Sequence, residues 1–297
     1  MITVTTWDQN RAEIDVLVRV TGNNEKEVNE RFDKIGVDFK TGNNSVIARS
    51  SMGGYACNQN ITTQVNFIVK MPKSGRVKLD NEYGHIRLSE VDGPSTITCR
   101  YGQINVDALN NTANTVKIEY SGGCRIGYMK GGSLTAQYSD IMLANSEKVT
   151  VTGEYSNVKM KNVDDMKYKC SYGEINVENA DIVTGRGDYA TSRFTVIKKL
   201  ANLTADYGHI NIGNVERTVK NIAITSTYTS VNIGYDDDYP FDFEVYLKYN
   251  GLQAQGLKYT TSIEKNENSY YKGYNKNSGI NKIFIKSEYA PVKFIRK

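Results

Sequence analysis

Through residues 73–234 apolar and polar positions alternate for a few residues, reach a tyrosine, and resume one position out of phase. Ile97, Cys99 and Tyr101 share one parity, whereas Ile104 and Val106 take the other; Leu203, Ala205 and Tyr207 stand against Ile210 and Ile212 in the same way. A period-2 pattern is the mark of a half-buried strand, and a change of phase requires a bend or bulge. Each unit therefore reads as strand, corner, strand and polar turn. The residue after the tyrosine is small throughout (Gly84, Gly102, Ser121, Ser139, Ser156, Gly173, Ala190, Gly208, Thr229, Ala290). Close backbone approach at a corner selects for that.

The tyrosines at the corners are Tyr83, Tyr101, Tyr120, Tyr138, Tyr155, Tyr172, Tyr189, Tyr207 and Tyr228, with a tenth copy at Tyr289 after a long interruption. A unit this short cannot bury its own apolar face, so copies must stack on one another. The pattern predicts an all-β chain, a single β-solenoid of about ten rungs with a tyrosine ladder, a parallel β-helix-like rod of roughly 45 Å at the strand spacing. An antiparallel sandwich also has short, evenly spaced strands, but it does not require one residue type at one phase of every repeat. Two positions before each tyrosine lie mostly small residues, among them Cys99, Ala136, Gly153, Cys170 and Ala205, as expected if the stacked rings fill that space.

Residues 1–72 form a predicted N-terminal cap. Strands are expected at Ile2 to Thr6, Ala12 to Val20, Val37 to Lys40, Ser45 to Ser50 and Ile61 to Val69, with one helix that starts near Asn23 or Asn24 and shows Val28, Phe32 and Ile35 on one face. Residues 73–234 are the repeats. Residues 235–297 comprise an insertion, Gly234 to Lys282, which breaks the period, and the final rung; the insertion reads as a cap or an exposed binding element.

Composition supports a folded, strand-rich chain: 21 Tyr stand against 8 Phe, and the 30 Asn favour tight turns. A net charge of +4, with 37 basic residues among 33 acidic ones, gives no patch of the kind nucleic acid demands. No apolar run is long enough for a transmembrane segment. The opening residues Met1 to Trp7 alternate as a strand does and contain no signal sequence; an upstream export signal is expected to have been removed.

No catalytic, cofactor-binding or metal-binding set is expected. Cys57, Cys99, Cys124 and Cys170 contain no CxxC pair; Cys99 and Cys170 would lie four rungs apart, about 19 Å, too far for a disulfide. His85 and His209 sit two residues after a column tyrosine but seven rungs apart, about 33 Å. One position before the tyrosines, Glu82, Arg100 and Glu119 would alternate in sign on adjacent rungs. Asp188 and Asp206 would be adjacent like charges, unfavourable unless bridged, and are the binding-site candidates; a cation such as Ca²⁺ or a solvated face both suit them. Arg87, Asn105, Lys159, Asn176, Arg193, Asn211, Asn232 and Lys293 form a basic and amide column that suits a linear anionic glycan or simply solvates the sheet. Asp236-Asp237-Asp238 reads as a charged turn, and Arg186-Gly187-Asp188 spells an integrin-type tripeptide inside a strand.

The tandem Y-G-x-[IV]-x-[VIL] copies, the opening Ile2-Thr3-Val4-Thr5-Thr6-Trp7-Asp8, the strand and helix after it and the Met71-Pro72 step resemble the bacterial putative-adhesin family of "toast-rack" β-solenoids, a domain of unknown function. The likeness covers most of residues 1–234. It implies a non-enzymatic protein of the bacterial cell envelope, exported to the cell surface or periplasm, acting in cell adhesion or as an extracellular interaction scaffold for a protein or glycan ligand. Ser121-Gly122-Gly123-Cys124 and the long insertion depart from the pattern. Two other readings remain: a polysaccharide-active enzyme on a parallel β-helix, with Asp188 and Asp206 as the nearest approach to paired acids, and a periplasmic envelope-stress component.

Overall fold

The structure is a computed structural model that describes residues 1–54 and 60–297; Cys57 lies outside the described residues. It is all-β with one short helix, and its main sheet of 18 strands is mostly parallel. Successive repeats lie side by side in register: Val77 beside Ser95, Thr96 beside Thr115, Asn114 beside Gly132, Val149 beside Met166 and Leu200 beside Asn221. The segments after the tyrosines pair likewise, His85–Val91 with Gln103–Leu109 and both with the repeats beyond. Neighbouring repeats thus run parallel, which is not the pairing of an antiparallel sandwich.

The alternation puts one side chain in two inward. In Ser95–Arg100, Ile97 and Cys99 are fully buried while Thr96 is exposed. Three residues past the corner, Ile86, Ile104, Ile141, Val158, Ile175 and Ile210 stack as a second buried column. Each such side chain contributes roughly 1.5–3 kcal/mol by leaving water. The packing adjusts locally: the Tyr168 ring occupies the space above Gly185, where any Cβ would strike it, and its hydroxyl bonds Ser192 Oγ at 2.8 Å. A buried phenol with a partner escapes the penalty of an unsatisfied polar group.

Polar ladders run along the surface. Asn162 donates to Asn145 at 2.8 Å and Asn179 to Asn162 at 3.1 Å. Cys99, Cys124 and Cys170 are free and buried, and burial pushes the Cys99 and Cys170 thiols up to about 11.

The N-terminal strand Ile2–Trp7 continues the second ladder: it pairs in parallel with His85–Val91 on one side and with Ile61–Pro72 on the other. Glu13–Gly22 then adds antiparallel to Ile61–Pro72. Gly36–Gly42 and Ser45–Ser51 form a separate hairpin. The helix is Glu25–Phe32, capped by Asn24, whose side chain accepts from the amides of Lys26 and Glu27. Its expected apolar face is not buried: Phe32 is 50% exposed, because the short helix meets only the edge of the sheet.

At the other end the order in space departs from the order in sequence. Lys282–Glu288, the strand of the final repeat, lies between Asn221–Tyr235 on one side and Phe241–Lys248 on the other. Phe241–Lys248 is in turn covered by Asn268–Asn275 and that by Lys258–Lys265, both antiparallel. The Asp236-Asp237-Asp238 turn is pinned by basic partners: Asp237 to Arg296 at 2.6 Å and Lys276 at 3.0 Å, Asp238 to Arg217 at 3.1 Å.

Candidate functional site

Every corner tyrosine sits in the left-handed region, with φ between 48° and 63°. One residue in that conformation reverses the inward–outward alternation, which is the physical origin of the phase slip. It also turns the ring out. The column tyrosines are 40–75% exposed, so the rings do not fill the space beside Cys99 or Ala205; those small residues are buried under the corner instead. Left-handed φ costs a non-glycine residue roughly 1–2 kcal/mol, and stacking offsets it: consecutive ring centroids lie 4.5–5.1 Å apart, with interplanar angles of 10° or less from Tyr83 to Tyr289.

The small residue after the tyrosine also satisfies the backbone. Ser139 Oγ accepts from the Ser121 amide and Ser156 Oγ from the Ser139 amide, both at 3.0 Å; Thr229 Oγ1 serves the Gly208 amide at 3.1 Å. Each hydroxyl of this set donates back to the carbonyl two residues earlier. The corners are thus hydrogen-bonded from one repeat to the next.

An eleventh tyrosine, Tyr249, joins the column with φ 57° and stacks on Tyr289 at 4.6 Å. Sequence reasoning missed it because Asn250 follows it instead of a small residue. The signal was there: Leu252, three positions on, pairs with Val292, the equivalent residue of the Tyr289 repeat. Because ring faces are occupied by one another along the column, solvent meets edges and hydroxyls. The column is a strip of phenols.

Asp188 and Asp206 come together as expected, and what bridges them is Arg186. Its guanidinium lies 2.9 Å from Asp188 and 2.6 Å from Asp206. The same contact commits the arginine of Arg186-Gly187-Asp188, which lies within the strand Asn157–Val215. Glu82, Arg100 and Glu119 do lie on adjacent repeats, but their ion pairs are with other residues: Arg100 reaches across to Asp80 of the neighbouring strand at 3.6 Å, and Lys117 pairs with Glu119 along its own strand at 2.7 Å. The two histidines are separate, and His209 shares a 2.6 Å hydrogen bond with Ser230. In the irregular repeat the extra residue at Gly122-Gly123 places Arg125 beside Asn105, which extends the basic and amide column by one repeat, and sends Cys124 inward beside Ile141; Met142, the next position, interrupts the column. Among the described residues no three His, Cys, Asp or Glu are grouped to hold a metal ion, and no helix is long and apolar enough to cross a membrane.

The insertion forms a cleft of about 370 Å³ lined by Tyr246, Tyr270, Ile263, Lys248, Lys265 and Lys286, among others. The Tyr246 and Tyr270 rings lie 4.6 Å apart. Glu244 accepts from Tyr246 at 2.8 Å and Tyr270 at 3.3 Å and lies 3.4 Å from Lys282. The hydrogen bond to Glu244 pushes the Tyr246 phenol up to about 12. Lysines beside exposed aromatic rings suit an acidic, partly apolar ligand such as a uronic-acid sugar.

No family model and no curated protein matches the chain. Among solved structures it is similar to a putative cell adhesion protein from Clostridium sporogenes, with 9% identity over 100% of this chain and 87% of that chain and a TM-score of 0.22. A likeness that loose carries no argument.

Proposed function

We propose that the chain winds as a β-solenoid and serves as an exported bacterial interaction scaffold of adhesin type, without catalytic activity. The observation that carries this reading is the unbroken outward column of eleven tyrosines on parallel, in-register repeats. Each corner accepts left-handed strain to keep a phenol facing water at the same height in every repeat. A folding requirement alone would be met by glycine, which adopts that conformation freely. The result is a regular strip of about 50 Å at the strand spacing, the form of surface that engages an extended protein or glycan through many weak contacts. The family resemblance of the repeats supports the same reading.

The enzyme alternative draws little support, because Asp188 and Asp206 both contact the Arg186 guanidinium. Protease shaving of intact source cells with antibody detection tests the proposal: the protein should be cleaved from outside. Protection until the envelope is breached would replace surface adhesion with a periplasmic role.

A further inference from the structure

The insertion that breaks the repeat builds a face unlike the rest of the stack. In Phe241–Lys248 the alternation that buries Val245 and Leu247 sends Tyr246 and Lys248 outward. Pairing then sets these two in separate rows across four strands. Tyr246 lies between Lys286 on one side and Tyr270 on the other; Lys248 lies between Glu288 and Asn268, with Lys265 one strand further on. All of them line the cleft of about 370 Å³, a size within the roughly 300–1,000 Å³ of small-ligand sites.

The floor of the cleft is apolar and held in place. The Tyr246 and Tyr270 rings lie 4.6 Å apart and are tilted by 36°. Both hydroxyls donate to Glu244 Oε1, so neither ring swings away without breaking a hydrogen bond to a charged acceptor. Glu244 is engaged by Lys282 through its other oxygen and does not itself line the cleft.

The rim is charged and unmatched. Among the described residues Lys248, Lys265 and Lys286 have no ion-pair partner, whereas Lys276 and Lys282 do. Glu288 has none either. Three ammonium groups against one carboxylate leave the cleft cationic, which favours an anionic ligand. Glu288 repels a ligand that is anionic throughout, but it accepts from one that also carries hydroxyl groups. The tyrosine floor suits a face of C–H groups. Carboxylates, hydroxyls and an apolar face on one molecule are the chemistry of a uronic-acid sugar.

We propose that the cleft binds a short stretch of a uronic-acid glycan. Its carboxylates pair with Lys286 and with Lys248 and Lys265, which stand two strands apart in one row, ~10 Å at the strand spacing. Its sugar rings lie against Tyr246 and Tyr270, and its hydroxyls bond Asn268 and Glu288. The site is other than the outward face of the tyrosine column, and the inference holds whether or not that column engages a partner.

The test uses the whole chain at physiological salt, with isothermal titration of trimers of galacturonate, glucuronate, mannuronate and guluronate. At least one trimer should bind saturably, and its methyl ester, which keeps the hydroxyls and removes the charge, at least about tenfold more weakly. Lys248→Ala combined with Lys265→Ala should weaken binding about tenfold, with the melting temperature nearly unchanged because both side chains reach solvent. Tyr246→Ala should weaken it about threefold to tenfold. Tyr155→Ala, in the tyrosine column, should leave the affinity as it is. Absence of binding by every trimer, equal binding of acid and ester, or binding indifferent to the lysine pair would each overturn the proposal. So would loss of binding in Tyr155→Ala alone, which places the glycan on the column, or tighter binding of triglutamate, which names an acidic peptide as the occupant.

Discussion

The repeat stack and the N-terminal segment are made of the same extended chain and hold together differently. In Asn114–Glu119 every second residue is fully buried; in Glu13–Gly22 none is, although Ile14, Val16, Val18 and Val20 alternate just as regularly. Asn114–Glu119 has parallel partners on both edges. Glu13–Gly22 is an outer strand with an incompletely covered face, and around it Leu17, Phe32, Phe39 and Ile68 are each about half exposed. Alternation shows that a strand has two faces. Burial depends on what the rest of the fold puts against one of them.

The sharpest break between the regions is expected in truncations of large side chains. Leu143→Ala, in the fully buried column, should cost about 2–5 kcal/mol, and Leu17→Ala, 53% exposed, no more than about 0.5 kcal/mol. Urea titrations of the two variants check this. Equal losses would mean that the N-terminal segment has a packed core of its own.

The tyrosine column belongs to neither class, being exposed yet tightly packed. Tyr155 stacks on Tyr138 at 4.9 Å and Tyr172 at 4.8 Å, and two such stacks contribute roughly 0.5–1.5 kcal/mol each. Tyr155→Ala should therefore cost about 1–3 kcal/mol. Tyr155→Gly should cost about 1 kcal/mol less than the alanine variant, since glycine takes the left-handed corner without steric penalty. The opposite order in thermal melts would show that the corner is unstrained.

The smallest effect concerns charge. The hydrogen bond from Lys276 holds the Asp237 carboxyl below its ordinary range; Arg296 adds to this, and desolvation opposes it. A carboxyl whose pKa is lower folded than unfolded stabilises the native state above the unfolded value, and that contribution disappears as pH falls through the folded value. Asp237→Asn should accordingly flatten the acid limb of the stability profile. An unchanged acid limb would mean that these exposed ion pairs are silent.

Period, corner and tyrosine column were legible in the residues, because stacking copies imposes one environment on one phase. The direction of the rings was not. Parity counting assumes that every residue is extended, and a single left-handed residue at Tyr101 or Tyr155 inverts the count; the buried place assigned to the ring belongs to Ser121 or Ser156 and their equivalents. For Asp188 and Asp206 a bridging cation and a solvated face both stood open in the sequence; the bridge is Arg186, two positions before Asp188 on the same face of the strand. Phe32 was assigned to a helix face that meets no core. That outcome depends on long-range packing, which a local pattern does not contain.

The place of Lys282–Glu288 between Asn221–Tyr235 and Phe241–Lys248 governs how the molecule is assembled. A growing chain can zip its repeats together one after another as they emerge, up to Tyr228. It must then leave a slot one strand wide, build the insertion beyond it, and fill the slot with residues synthesised after the insertion. The wedge that enters there joins two blocks that, among the described residues, share no backbone pairing of their own, so a strand made after the insertion works as the keystone of that end.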